Sequence, residues 1–186
     1  MVKMVSWRDI WADPLLKRNL WASALLYSEA SFNFYLLGFY LKYFPGNIYV
    51  NSVYSACSDL TAFILTGIFL HFTSMKTSIR IGSFLAAIGG LLYLFMSSNI
   101  SLVPIMLSMS RVGQAMIYNT TIIAVNRLFP TVYVSTAYGV VNFCGHLYAC
   151  LAPFVAEVKN PYPFIMFIAM IGVAIFTSFM LTEFSE

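Results

Sequence analysis

Six apolar stretches, each long enough or nearly long enough to cross a bilayer, leave this chain little choice of solvent. They run over residues 20–44, 48–72, 81–96, 102–128, 132–155 and 163–181, separated by short breaks such as Pro45-Gly46-Asn47 and Lys159-Asn160-Pro161. About 20 apolar residues in a helix cover the roughly 30 Å of bilayer hydrocarbon. Of the 186 residues, 60% are hydrophobic and only 9% are charged, and the mean hydropathy is +0.81. A soluble domain carries about 25% charged residues, so an interior of this size cannot hide so much apolar surface. The predicted fold class is an all-α membrane protein with six transmembrane helices. The net charge of +3 is too small to mark a nucleic-acid partner.

Residues 1–19 read differently. Trp7, Ile10, Trp11, Leu15 and Leu16 fall near one helical face, with Arg8, Asp9, Lys17 and Arg18 elsewhere. That pattern predicts a short amphipathic helix lying in the membrane interface, its tryptophans at headgroup depth and its basic residues towards anionic lipid. Residues 20–182 then form the transmembrane domain, and 183–186 a short tail. Six spans return both termini to one side. That side holds Lys3, Arg8, Lys17, Arg18, Lys76, Arg80 and Arg127, whereas the other holds Lys42 and Lys159. The bias orients both termini towards the cytoplasm, or towards the matrix if the membrane is mitochondrial.

Cys57, Cys144 and Cys150 lie inside apolar spans without metal-ligand spacing, and they read as small buried hydrophobes. The chain contains no Gly-rich phosphate loop, no catalytic triad arrangement and no metal cluster, so it reads as a non-enzyme with no cofactor. The Gly89-Gly90 pair in the third span provides small residues where helices approach closely.

An ionisable side chain inside a bilayer costs about 2.5–3.5 kcal/mol even on insertion scales, so each one needs a reason. Four stand out, and two of them anchor the stretch 111–154, which organises the chain. Arg111 enters the fourth span, and His146 sits midway along the fifth. Asp59 lies near the middle of the second span and is placed to pair with Arg111 across the bundle. Glu29 lies towards the cytoplasmic third of the first span, within reach of the interface. These residues are candidates for a polar substrate path or for buried structural charges.

Four patches carry a resemblance to a known family. They are ADPLLKRNL before the first span, GNIYVNSVYSACSDLTAF at the second, RVGQAMIYNTTIIAVNRLFPT across the fourth, and TAYGVVNFCGHLYACLAPF in the fifth. Together the chain resembles the C-terminal six-helix half of a major facilitator superfamily transporter, closest to the organic cation/anion transporter branch. The resemblance implies that Asp59 falls where a carboxylate is common, and that His146 occupies a position that helps set substrate charge preference. It also implies that aromatic rings such as Phe32, Phe34, Tyr35, Tyr54 and Tyr118 line a cavity for organic cations. The charges that latch the family's cytoplasmic face are altered here. Arg127 replaces the acid before the LFPT turn, Val134 stands where an arginine follows it, and HFTSMKTSIR lacks the acid and glycine of the family's loop.

Alternating access needs two six-helix halves around a midplane site. Met1 falls inside what is the central cytoplasmic loop of the resembled transporters, so the N-terminal half is expected to be missing. The expected function is a transporter-derived accessory subunit of a larger membrane assembly, such as a respiratory complex of the mitochondrial inner membrane, without transport of its own. Its expected partners are other membrane subunits covering the cavity face, together with lipids. The alternative is half of a working organic-ion carrier that pairs with a second half or dimerises, with a small organic ion as its ligand.

Overall fold

A computed structural model of the chain describes residues 7–96 and 101–182, with side chains from Ile10 onward. Residues 1–6 of the anticipated interfacial segment, residues 97–100 of the third turn and the tail 183–186 lie outside the described residues. In chain order the elements are α1 (Trp7–Ala12), α2 (Pro14–Tyr40), a 3₁₀ turn (Leu41–Tyr43), α3 (Ile48–Phe72), α4 (Met75–Met96), α5 (Val103–Leu128), α6 (Thr131–Ala149), α7 (Ala152–Ala156) and α8 (Tyr162–Met180). No strand occurs among the described residues.

Three boundaries differ from the sequence expectation, each for a local reason. The N-terminal segment is not one helix to residue 19. Asp13 ends it and caps α2, its side chain accepting from Leu15 N at 2.8 Å, with Pro14 in the first turn. The polar loop after α3 shrinks to Thr73 and Ser74. Ser74 bonds Thr77 N, and Met75, Ser78 and Ile79 are buried, so α4 begins six residues early. The fifth stretch breaks at Cys150–Leu151 ahead of Pro153, which has no N–H to continue a helix and instead opens α7.

The apolar helices are built inside out. The buried stripe of α3 is Asn51, Ser55, Ser58, Ala62 and Thr66, while Val53, Leu60, Phe63, Ile64, Ile68 and Phe72 point outward. Along α6 the buried stripe is Ala137, Val141, Gly145 and Ala149, and Phe143, Leu147, Leu151 and Phe154 face out of α6 and the short segment after it. Large apolar side chains outside and small or polar ones inside is the pattern of a chain solvated by lipid, where packing rather than hydrophobicity joins helices. Among the described residues, four helices are long and apolar enough to cross a membrane: Ile48–Phe72, Met75–Met96, Thr131–Ala156 and Tyr162–Met180. The structure is an all-α membrane protein.

At 27 and 26 residues, α2 and α5 span about 40 Å each, but they carry the polar residues. They occupy the centre. The helices α2 and α5 pack on each other; α2 also packs on α6 and α8, α5 on α3 and α4, and α4 on α8. Exchanging α2, α3 and α4 for α5, α6 and α8 maps these principal contacts onto themselves. At the α4–α5 interface Gly82, Ala86 and Gly89 meet Ser110 and Gly113. A Cβ on Gly113 would strike the Ala86 backbone, so only glycine permits this approach.

Two clamps fix the directions of the helices. Asn19 donates to Leu128 O at 3.3 Å and to Thr182 O at 2.8 Å, joining the start of α2 to the ends of α5 and α8. At the opposite end, Lys42 pairs with Glu157 at 2.6 Å, and the Tyr43 hydroxyl donates to the same carboxylate. The two halves of the contact pattern therefore run antiparallel, as an inverted repeat. The described chain starts and stops at one end of the bundle, which also holds Lys17, Arg18, Lys76, Arg80 and Arg127.

Candidate functional site

The helices α3 and α6 share no packed interface among the described residues; they flank a face whose floor is α2 and α5. Arg111 reaches this face from α5 and Asp59 from α3. The guanidinium donates from Nε to Asp59 Oδ1 at 2.8 Å and from Nη2 to Oδ2 at 3.0 Å. Its Nη1 donates to the Phe34 carbonyl oxygen at 2.8 Å, and its Cζ lies 4.0 Å from the centre of the Phe34 ring. One arginine thus ties three helices together. A bidentate fork of this kind fixes orientation as well as charge. The two side chains are unequally buried, with Arg111 8% and Asp59 27% exposed. The carboxylate therefore opens the pair to the face, while the cation lies behind it.

From Phe34 a run of rings crosses the floor. Phe34 stacks on Tyr118 of α5 at 5.0 Å, and Tyr118 stacks on Tyr27 at 5.5 Å with their hydroxyls 3.2 Å apart. Tyr27 meets His146 of α6 edge-on at 6.2 Å, and Tyr35 approaches the same imidazole at 6.4 Å. Gly145 makes this possible, because a Cβ there would land in the Tyr27 ring. The exposed edge of the run is a shallow groove of about 320 Å³ lined by Tyr35, Phe39, His146, Ala149, Cys150 and Pro153. The surface presents aromatic ring faces and one imidazole, beside a carboxylate already paired with Arg111.

The four residues singled out from sequence separate into three environments. Arg111 and Asp59 meet directly. His146 stands exposed at the far end of the ring run, with aromatic neighbours rather than a hydrogen-bonded helix partner. Glu29 is elsewhere, and its expected position is corrected: it lies mid-helix in α2, which starts at Pro14 rather than at residue 20, and it is wholly buried by neighbouring helices. Asn33 Nδ2 donates to Glu29 Oε1 at 2.8 Å. The cysteine expectation is corrected too. Cys57 on α3 is exposed and Cys144 on α6 half-buried, while Cys150, just past the end of α6, is exposed in the groove beside His146. Tyr54 lies in an outer groove beside Cys57, and Phe32 is buried against Tyr148, so neither joins the ring run.

Sequence reasoning missed Tyr27, Asn33 and Gln114. The i, i+4 pair Glu29–Asn33 was a readable signal, as was Gln114 one turn after Arg111. Tyr27 had none, since its role depends on a glycine in another helix. No group of three or more His, Cys, Asp or Glu able to hold a metal occurs among the described residues. Arg80 is turned to α8, with Nε 3.4 Å from Ser178 Oγ and the guanidinium over Phe179. Arg127 is exposed and forms no ion pair among the described residues. Compared with protein-family models and with curated proteins, the chain matches none.

Proposed function

We propose that all six long helical segments cross the membrane and that the chain is a transporter-derived subunit, built as the C-terminal six-helix half of a major facilitator superfamily fold. The inverted three-plus-three contact pattern supports this reading, because each six-helix half of such transporters is an inverted repeat of three helices. The start of α2 and the end of α8 then face the cytoplasm or matrix, where the basic residues gather. The aromatic face is covered by a second membrane unit, on the same polypeptide or another. The observation that carries this is the Arg111–Asp59 pair: its carboxylate is partly open on a face that would otherwise meet hydrocarbon. With Arg80 engaged on α8 and Arg127 unpaired, the family's gating latch has no counterpart, which favours an accessory role in a larger assembly, a respiratory complex of the mitochondrial inner membrane among them. Gentle extraction followed by native electrophoresis and mass spectrometry tests it. Co-migration with a multi-subunit complex at fixed stoichiometry is expected, whereas migration alone or as a dimer overturns the accessory role.

The ring run favours a second reading, a working organic-ion carrier half. Uptake of a small organic cation by reconstituted vesicles, lost in Phe34→Ala and His146→Ala, would establish it; no uptake from the intact assembly removes it.

A further inference from the structure

Behind the aromatic face, where α2 meets α5 and α8, three side chains are wholly buried: Glu29, Asn33 and Gln114. Each presents an oxygen without a hydrogen-bond partner, namely Glu29 Oε2, Asn33 Oδ1 and Gln114 Oε1. Both donors of Asn33 and one of the two on Gln114 are already committed. Asn33 Nδ2 serves Glu29 Oε1 at 2.8 Å and Phe167 O of α8 at 3.2 Å, and Gln114 Nε2 serves Ala30 O at 3.2 Å. Flipping either amide would set oxygen against oxygen, so both orientations are fixed. The Gln114 side chain stands alongside the Glu29 carboxyl.

No countercharge is at hand among the described residues. From α5, Arg111 is spent on Asp59 and Phe34, and Arg127 lies at the far end of the helix. From α6 the ionisable groups are His146, on the opposite side of Tyr27, the tyrosines Tyr133, Tyr138 and Tyr148, and Cys144. The helix α7 carries no ionisable group, and α8 carries only Tyr162 at its start. Within α2 itself, Lys17 and Arg18 lie about three turns away, and Tyr27 is turned to Tyr118. At the ends of α2, Asp13 caps the first turn, and Lys42 and Tyr43 are engaged with Glu157. The described side chains of α1 carry no charge.

We infer that Glu29 is a proton-binding site: it is held as the neutral acid, and its hydroxyl donates to Gln114 Oε1, latching α2 to α5 while Asn33 latches α2 to α8. A single proton there satisfies two orphaned oxygens and removes an uncompensated charge from the core. A bridging water would satisfy the oxygens but leave that charge. A sodium ion would use the same oxygens with the carboxylate ionised. The inference stands whether or not the chain transports anything.

Infrared spectroscopy of the full chain in lipid nanodiscs at neutral pH, with ¹³C-carboxyl glutamate, separates these cases. The expected result is a protonated-carboxyl band from one glutamate, absent in Glu29→Gln and shifted towards the free-acid position in Gln114→Leu, which keeps the acid but removes its acceptor. Glutamate absorption that is wholly carboxylate, whether insensitive to sodium or shifted by it, overturns the inference. So does a protonated band that survives Glu29→Gln. Should Glu29→Gln fail to insert, the wild-type band and its shift in Gln114→Leu decide the matter alone.

Discussion

Replacing Asp59 with alanine isolates what the ion pair contributes. The substitution deletes both acceptors of the fork and leaves the Arg111 guanidinium, 8% exposed, with only the Phe34 carbonyl and ring. Removing one partner of a buried pair costs about 3–5 kcal/mol, because the other charge is left uncompensated. The 27% exposure of the Asp59 side chain screens the pair and sets the expectation at the lower end. About 3 kcal/mol corresponds to a loss of roughly 100-fold in the folded-to-unfolded ratio. Equilibrium unfolding in mixed lipid–SDS micelles, followed by circular dichroism, measures it. Adding Arg111→Met to the alanine variant removes the stranded cation and should bring stability back to within about 1 kcal/mol of the parent, since an apolar replacement of a buried pair is often neutral. If Asp59→Ala lies within about 0.5 kcal/mol of the parent, or if the double variant shows the sum of the two single losses, the three-helix tie does not hold the bundle.

Gly145→Ala should expel the Tyr27 ring and break its stack on Tyr118, costing about 1–3 kcal/mol by thermal unfolding; an unchanged midpoint would mean that Tyr27 does not rest on α6. Gly113→Ala should cost a similar amount by pushing α4 off α5, and it is refuted by a parent-like midpoint. The exposed Lys42–Glu157 pair predicts a pH window. The Lys42 ammonium holds the Glu157 carboxyl below its ordinary range, so that contribution is present above about pH 4.3 and is lost as pH falls through the lowered value. Glu157 holds Lys42 above its ordinary range, so that contribution is present below about pH 10.4 and is lost as pH rises further. Both limbs should vanish in Glu157→Gln and weaken in high salt. A membrane-permeant maleimide should label Cys57 and Cys150 of the isolated chain before Cys144, as read by mass spectrometry of intact protein; equal rates contradict the exposure of Cys57 on α3 and of Cys150 in the groove.

Helix extents were legible where the chain punctuates itself. Asn47, after Pro45-Gly46, caps α3 through its side chain to Tyr49 N at 2.8 Å, with Gly46 at φ 106°, and the stretch 48–72 coincides with the helix. Polarity alone was a poor guide. TSMKTSIR reads as a loop, but Ser74 caps it and Met75, Ser78 and Ile79 bury one face, so most of it is helix. Arg111 and Asp59 were legible as a pair because a bilayer leaves two opposite charges few alternatives. The depth of Glu29 was not, because it depends on where α2 begins, and six residues of amphipathic sequence before Leu20 disguise that start. Facing was the least legible property. Cys57 and Ser58 are neighbours in sequence, yet one points out and the other in.

Helix count and hydropathy diverge for a reason that bears on the site. Among the described residues four helical stretches are apolar enough to read as spans, while the two long helices that are not, α2 and α5, are the two most deeply packed. In water the central helices of a bundle are its most apolar. Here the order reverses, because hydrocarbon rewards the outer helices for being greasy and protein neighbours alone can satisfy polar groups. Asn19, Arg111 and Gln114 donate outside their own helices, and Asn33 spends one of its two donors on α8, so polarity at the centre specifies which helices meet. The same residues therefore depress hydropathy, fix the inverted packing and bring one carboxylate, one imidazole and a run of rings to a single face. Any partner that docks on that face meets the polar half of the molecule, and its own contacting surface should carry hydrogen-bonding or charged groups rather than the leucine-rich face that suits α3 or α8 on their outer sides.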